Sequence, residues 1–274
     1  MSQVTVVIPI YNKEKYVQQA IQSVLRQTFS QWELLLIDDA STDGSLAIAK
    51  SFEDGEKVRC LQINSNVGLA QVLNYALIHV HTPYFLHLDA DDWLESHALA
   101  SLIPPLQANP KAALAYANPL VHWENEEGQI IKTEKIILEQ YKDRYDFLLK
   151  LNHTLTPRLY RTECVRAIGG WLCQFEADGY VEDVQMLLRL AGKYEWIWVN
   201  AFLHNRRKYK QNVDAFLQTR PKRYQYRYHL YNQLLLEWGD QYKAVWKQVG
   251  PAIYLQGLEK NPNPQPLDVH HHCP

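Results

Sequence analysis

The amino-acid sequence predicts an α/β protein, with a mostly parallel central sheet flanked by helices and a helical C-terminal extension. Three observations carry that prediction. Short β-branched runs alternate with helical-period segments through the first hundred residues, acidic residues gather just after the predicted strands, and the composition turns to Tyr, Arg, Gln and Leu beyond about residue 212.

Val4 to Ile10 reads as the first strand. Val17, Ala20, Ile21, Val24, Leu25 and Thr28 then recur on one helical face. Leu34 to Ile37 is a second buried strand, ending at Asp38-Asp39. Ser41, Thr42 and Asp43 can cap a helix to about Phe52, which Glu53-Asp54-Gly55 ends before a strand at Val58 to Ile63. Leu69, Val72, Leu73, Ala76, Leu77 and Val80 form the next stripe, and Tyr84 to Leu88 a fourth strand that delivers Asp89-Ala90-Asp91-Asp92.

A helix is expected from Leu94 to Pro104-Pro105, a strand at Ala112 to Ala117, an extended segment at Gln129 to Leu138 and a helix at Tyr141 to Leu151. Arg161 to Ile168 reads as a short helix closed by Gly169-Gly170. Tyr180, Val184, Leu187, Leu188 and Ala191 share a helical face, and Trp196 to Val199 is another strand. These elements divide the chain into a main domain over 1–210, with a nucleotide-binding part to about 100 and an acceptor-binding part after it, a helical extension over 211–260, and a flexible Pro-rich tail over 261–274. His270-His271-His272-Cys273 reads as part of that solvated tail.

With 274 residues, 47% of them hydrophobic and 21% charged, the chain can bury a sizeable core. A net charge of −2 gives no global reason to expect nucleic acid as a partner. No apolar run approaches the roughly 18 residues of a spanning helix, and no secretory signal is read at the start. Cys60, Cys164, Cys173 and Cys273 lack CxxC spacing and read as free thiols, so a cytoplasmic location is expected, at most against the inner face of a membrane. The basic-aromatic run Arg220 to Tyr228 reads as a helix packing its tyrosines on the main domain. Peripheral contact with anionic lipid or an acceptor polymer is the alternative.

In an open α/β sheet, ligands bind outside the carboxyl ends of the strands. Here those ends carry Pro9-Ile10-Tyr11-Asn12, Asp38-Asp39 and Asp89-Ala90-Asp91-Asp92. Capping accounts for any one carboxylate, but several converging on one edge repel one another unless a cation or a donor-rich ligand lies among them. Mg²⁺ or Mn²⁺ takes one or two carboxylates and fills its other positions with water and phosphate oxygens, which points to a nucleotide diphosphate. No GxGxxG follows the first strand and no GxxxxGK[ST] occurs, which removes the main support for dehydrogenase and P-loop readings.

The chain resembles the family 2 glycosyltransferases, inverting enzymes of GT-A fold that use nucleotide-sugar donors. The resemblance is carried by Val6-Val7-Ile8-Pro9-Ile10-Tyr11-Asn12, Ile37-Asp38-Asp39-Ala40-Ser41-Thr42-Asp43-Gly44-Ser45, Asn66-Val67-Gly68-Leu69 with Asn74, Leu88-Asp89-Ala90-Asp91-Asp92, Gly169-Gly170-Trp171, Glu182-Asp183 and Leu188-Arg189-Leu190. It implies a Rossmann-like central sheet. It also implies that Pro9, Tyr11 and Asp39 hold the nucleoside, with Asn66, Gly68 and Asp89 completing the nucleotide site, and that Asp91 contacts ribose or metal. Asp91 and Asp92 are the implied ligands of Mn²⁺ or Mg²⁺, with no choice made between them. Glu182-Asp183 resembles the family's acidic pair at the start of a helix, with Asp183 the implied general base on the acceptor hydroxyl. The chain departs from the family at Leu73, where many members carry a basic residue before the asparagine, and at His204 to Lys208, where a Tyr-Arg-x-His segment is common.

The resulting expectation is a metal-dependent inverting transfer of sugar from a nucleotide-diphosphate donor, UDP-sugar being favoured, to a saccharide or lipid-linked hydroxyl. The alternative is a catalytically inactive nucleotide-binding regulatory module of the same fold. A nucleotidyltransferase would need a Gly-rich, Arg-containing loop after the first strand, and paired-carboxylate glycoside hydrolysis leaves the nucleotide-like sheet edge unexplained.

Overall fold

The computed structural model describes residues 1–151, 155–173, 182–250 and 252–265. Its first half alternates strand and helix: β1 (Val4–Ile10), α1 (Val17–Leu25), β2 (Trp32–Asp39), α2 (Ser45–Ser51), β3 (Val58–Ile63), α3 (Leu69–His79) and β4 (Tyr84–His87). A short β5 (Trp93–Leu94) leads to α4 (Ala98–Ala108), β6 (Ala112–Glu124), β7 (Ile130–Lys135), α5 (Arg144–Lys150), β8 (Arg158–Arg161) and α6 (Thr162–Ala167). α7 (Glu182–Ala191), β9 (Glu195–Lys208), α8 (Lys210–Glu237), β10 (Tyr242–Val249) and β11 (Ala252–Lys260) complete the described chain.

The main sheet has the order β3-β2-β1-β4-β8-β6-β9-β5, with β7 branching from β6. β3, β2, β1 and β4 run parallel, β8 enters antiparallel between β4 and β6, and β9 runs parallel to β6. The central strands are covered on both faces, so they read as continuous apolar runs. Val4, Val6, Ile8 and Ile10 of β1 face one core with Val17, Ile21 and Val24 of α1 and with Leu99, Leu102 and Leu106 of α4. Val7, with Leu35 and Ile37 of β2, faces the other core, against Val72, Leu73 and Ala76 of α3. Ile8 is fully buried, and its truncation to Ala is expected to cost about 2–5 kcal/mol.

This winding places the site. α1 and α3 lie on opposite faces of β1, whose pairing with β4 ends at Val7 while its pairing with β2 continues to Ile10. A crevice therefore opens at the carboxyl ends of β1 and β4, where the winding reverses. Because β8 runs the other way, its first residue, Arg158, also lies at that end, opposite His87.

Three expectations are corrected. The helix after Leu94 starts at Ala98 and runs through Pro104 and Pro105 to Ala108, because a short strand pairing with β9 takes up Trp93 and Leu94. The extension is helical only to Glu237. Residues 242–249 and 252–260 pair as two antiparallel strands, since Tyr242, Ala244 and Trp246 alternate onto the core while Lys243 and Lys247 stay exposed, a period of two rather than 3.6. The chain is also not free from residue 261: Asn261 is buried and donates through Nδ2 to Asp240 Oδ2 at 2.7 Å, and the Gln265 N–H donates to the same oxygen at 2.6 Å. Residues 266–274, with the His270–Cys273 run, lie outside the described residues, as does Tyr180.

α8 packs Tyr226, Leu230, Tyr231, Leu234 and Leu235 into the second core, joined by Trp238 just past its end, so its tyrosine-rich sequence is partly core. Among the described residues no helix is long and apolar enough to cross a membrane.

Candidate active site

One rim of the crevice is knitted from adjacent strand-end loops. Asn12, in the left-handed region at φ 52°, accepts the Thr42 N–H on Oδ1 at 2.8 Å, and its own N–H donates to Ser41 Oγ at 3.1 Å. The Lys13 N–H donates to Ser45 Oγ, and the Gly44 N–H to Glu14 Oε2. Asp38 turns back onto the Ser41 N–H at 3.0 Å. Asp39, only 3% exposed, accepts the Val67 N–H at 2.8 Å and the Gly68 N–H at 3.0 Å, one on each carboxylate oxygen, while Asn66 Nδ2 donates to its carbonyl. Gly68 sits at φ 84°, where a side chain is strained, and starts α3. Tyr11 is exposed at the mouth, and Pro9 lies in β1 beyond the end of its pairing with β4.

The Asp89–Asp92 loop divides its carboxylates. Both oxygens of Asp92 are occupied inside the protein: Oδ1 accepts the Arg207 N–H at 2.8 Å, and Oδ2 is 2.8 Å from His204 Nε2. Burial raises the Asp92 carboxyl above its usual range, and His204 only partly offsets this. Asp91 faces the crevice, where Oδ2 meets Lys13 Nζ at 2.7 Å and Tyr209 OH at 2.7 Å. Burial acts to lower the Lys13 ammonium, but Asp91 and Tyr209 prevail and hold it raised. Arg207 fixes the loop from behind, donating to the Asp91 carbonyl at 2.8 Å, pairing with buried Glu124 and packing over the Tyr16 and Trp93 rings.

The acidic pair opens α7, where two carboxylates suit the positive helix end. Glu182 is buried, and desolvation followed by the neighbouring Asp183 charge pushes its carboxyl up to about 8. Asp183 Oδ2 pairs with the Arg158 guanidinium, while Oδ1 is buried with no hydrogen-bond partner among the described residues. Arg158 is 1% exposed; burial opposes its charge, but Asp183 outweighs it and holds the guanidinium raised. Its Nη2 lies 3.1 Å from His87 Nδ1, and His87 Nε2 lies 3.1 Å from Asp89 Oδ1, within ion-pair reach but off the line of a hydrogen bond. A polar chain Asp183–Arg158–His87–Asp89 thus joins the α7 carboxylate to the acidic loop. Burial works to raise the Asp89 carboxyl, but His87 and then Arg158 hold it well below the usual range.

The family model described as Glycosyl transferase family 2 matches residues 5–169, more than half of the chain. The chain belongs to glycosyl transferase family 2. It is 28% identical over 171 residues to the teichoic acid poly(glycerol phosphate) polymerase of Staphylococcus epidermidis, a match covering 61% of this chain and 23% of that one. It is 41% identical over 91 residues to the putative glycosyltransferase EpsE of Bacillus subtilis, covering 32% and 33%. The matched segments are thus between about a quarter and a third of those relatives' lengths. Among solved structures, S. aureus TarS 1-349 in complex with UDP matches with TM-score 0.62 at 17% identity, over 87% of this chain and 70% of that one. The mannosyltransferase PcManGT of Pyrobaculum calidifontis, in complex with GDP-Man and Mn2+, matches with TM-score 0.60 at 19% identity, over 80% and 61%. These two likenesses show the GT-A fold.

In this family member the structure brings Asn12, Asp39, Asn66 and Gly68 into one rim at the strand ends and sets Asp91 beside Lys13 and Tyr209. It turns Asp92 away. Among the described residues no three His, Cys, Asp or Glu side chains converge as a metal cage. Asp91, whose Oδ2 is engaged by Lys13 and Tyr209, and the part-exposed Asp89 are the loop carboxylates left toward solvent, a set that fits an ion of Mg²⁺ or Mn²⁺ type drawing its remaining ligands from phosphate and water. Asn74, next to the unusual Leu73, clasps the Gly-Gly-Trp turn by accepting the Trp171 N–H and donating to the Trp171 carbonyl, each at 2.8 Å. A Cβ on Gly170 would fall 2.4 Å from Asn74 Oδ1, which explains the glycine there. Leu73 itself is core. Trp171 and Trp196 are buried against Tyr160 and Phe147, respectively.

Sequence reasoning missed Arg158, His87, Lys13 and Tyr209 as site residues. Only the antiparallel entry of β8 brings Arg158 to the crevice, and no local spacing announces it.

Proposed function

We propose that this protein transfers a sugar from a UDP-sugar to a hydroxyl of a saccharide or lipid-linked acceptor, inverting the anomeric centre, with Mn²⁺ or Mg²⁺ at the diphosphate. The observation that carries the reading is Asp183. One of its oxygens is held by Arg158, and the other is buried with no donor among the described residues. A buried acceptor atom without a donor is a costly feature, and an incoming hydroxyl resolves it.

Asp183 takes the proton of that hydroxyl as its oxygen attacks the anomeric carbon, a role typically worth ~10²–10⁴-fold in rate. The bond to the diphosphate oxygen breaks as the new glycosidic bond forms, and UDP leaves. A divalent ion at Asp91 supplies charge neutralisation on that leaving group. Lys13, Tyr209 and Arg207 hold the Asp91 carboxylate and its backbone in place. The Asp39-clamped loop shapes the base pocket, and the remaining lone pairs of Asp39 are free to accept from uracil. Glu182, pushed up to about 8, is mostly protonated at neutral pH and leaves the base role to Asp183. Support for UDP as nucleotide comes from the TarS neighbours, which are described in complex with UDP and with UDP-GlcNAc.

A thermal-shift panel of UDP, GDP, CDP and dTDP, each with and without Mn²⁺, tests the donor assignment, because ligands that bind the native state raise its apparent stability. The expected result is a metal-dependent shift for UDP, accompanied by UDP release from a UDP-sugar. A nucleotide shift without any turnover supports the inactive-module alternative.

A further inference from the structure

We infer that Arg158 is the positioning residue of Asp183, and that through His87 it ties the base to the Asp89 loop. The inference rests on the transfer reading above and adds a residue that none of the sequence motifs contains.

The placement follows from topology. β8 is the one antiparallel strand between β4 and β6, so its first residue lands at the carboxyl ends of the parallel strands, opposite His87 and Tyr116 in register. An arginine there is fully enclosed at 1% exposure, which is unfavourable unless the charge does something at the site. A purely structural arginine has its donors satisfied. Here Nε has no hydrogen-bond partner among the described residues and Nη1 meets Asp183 as an ion pair off the line of a hydrogen bond, while Nη2 is hydrogen-bonded to His87 on the other side of the crevice. A planar guanidinium can hold both partners at once in a fixed fork, which the point charge of a lysine cannot.

The geometry has two consequences. Holding Oδ2 leaves Oδ1 as the single open acceptor of Asp183 and fixes its direction, which is the orientation a general base needs. The same side chain contacts His87, which approaches Asp89, so the base side and the donor side share one rigid cross-piece. The charged and titratable groups facing Asp183 are Arg158 and Tyr160 from β8, Asp89 from the acidic loop and Glu182 from its own helix. Arg158 is the cation among these that touches Asp183, so its role is read in the pH–rate profile as well as in kcat.

The test compares wild type, Arg158→Met, Arg158→Lys, Asp183→Asn and the Asp183→Asn/Arg158→Met double variant, reading UDP release from UDP-GlcNAc and UDP affinity by thermal shift. The expected result is a kcat about 10–100-fold lower in Arg158→Met with UDP affinity unchanged. Its pH–rate profile departs from that of wild type, and Arg158→Lys recovers the pH profile but only part of kcat. The double variant is expected to be no slower than Asp183→Asn alone, since both changes disable one unit. Should Arg158→Met fail to show a cooperative melt, the partial recovery in Arg158→Lys decides.

Wild-type kcat and pH profile in the Arg158 variants, with Asp183→Asn inactive, overturns this inference and leaves the transfer reading standing. A drop in UDP affinity equal to the drop in rate also overturns it, by making Arg158 a donor-site support. Turnover by Asp183→Asn at the wild-type rate, or none by wild type with any UDP-sugar, overturns the transfer reading and this inference together.

Discussion

The two rims of the crevice are assembled in different ways. The donor-side rim is made by strand-end loops of one repeating βα pattern, and its bonds join neighbouring loops: Asn12 to Thr42, Glu14 to Gly44, Asp39 to Val67 and Gly68. The acceptor-side rim is made by elements that enter from elsewhere in the chain, with Arg158 on an antiparallel strand reaching Asp183 at the start of α7 and His87 at the end of β4. One rim is held by backbone N–H groups, which any sequence supplies. The other is held by side-chain charges, which depend on single residues. Substitutions on the donor side therefore act first on loop shape and nucleotide affinity, whereas those on the acceptor side act first on rate.

Several variants break or sharpen this contrast. The largest effect on nucleotide affinity is expected within the acidic loop. Asp91→Asn removes one of the loop carboxylates left toward solvent and lowers Mn²⁺-dependent UDP affinity by at least the ~10–100-fold typical of changes around a metal site. Asp92→Asn leaves that increment intact and instead lowers stability, because Arg207 N–H and His204 lose a shared acceptor. Calorimetric titration with UDP, with and without Mn²⁺, separates the two. Asp39→Ala comes next: it strands the Val67 and Gly68 N–H groups and is expected to cost about 1–3 kcal/mol in urea unfolding, together with loss of the UDP shift. Asp39→Asn keeps one acceptor and is milder.

A separate effect is expected in the pH dependence of stability at Glu182. Its folded carboxyl is raised to about 8 from an ordinary 4.5, so the native chain holds a proton that the unfolded chain releases. Stability from this group is full below the unfolded value and falls as pH rises through that window. Glu182→Gln flattens the fall, so its unfolding midpoint relative to wild type rises between about pH 5 and about pH 9, as read by urea titration.

The same contrast explains how much of the molecule was legible in the sequence. The βα alternation, the strand ends and the acidic loop are local patterns, and Val4 to Ile10 or Asp89 to Asp92 can be placed without knowing what lies beside them. Asp91 and Asp92 could not be separated that way, because what distinguishes them is whether Arg207 and His204, more than a hundred positions later, turn toward one and not the other. Arg158 was invisible for the same reason. The strand pair over 242–249 and 252–260 was misread as helix although its period of two is present in Tyr242, Ala244 and Trp246, since the helix-forming Tyr-Arg-Gln-Leu composition before it was extended across the Gly239 turn.

The most direct measurement of the central claim is the pairing of turnover with nucleotide binding in Asp183→Asn. If Asp183 is the base, UDP release from a UDP-sugar falls ~10²–10⁴-fold while the Mn²⁺-dependent UDP shift stays at the wild-type value. Turnover within a few-fold of wild type with the same shift would contradict the account and assign the proton to another group.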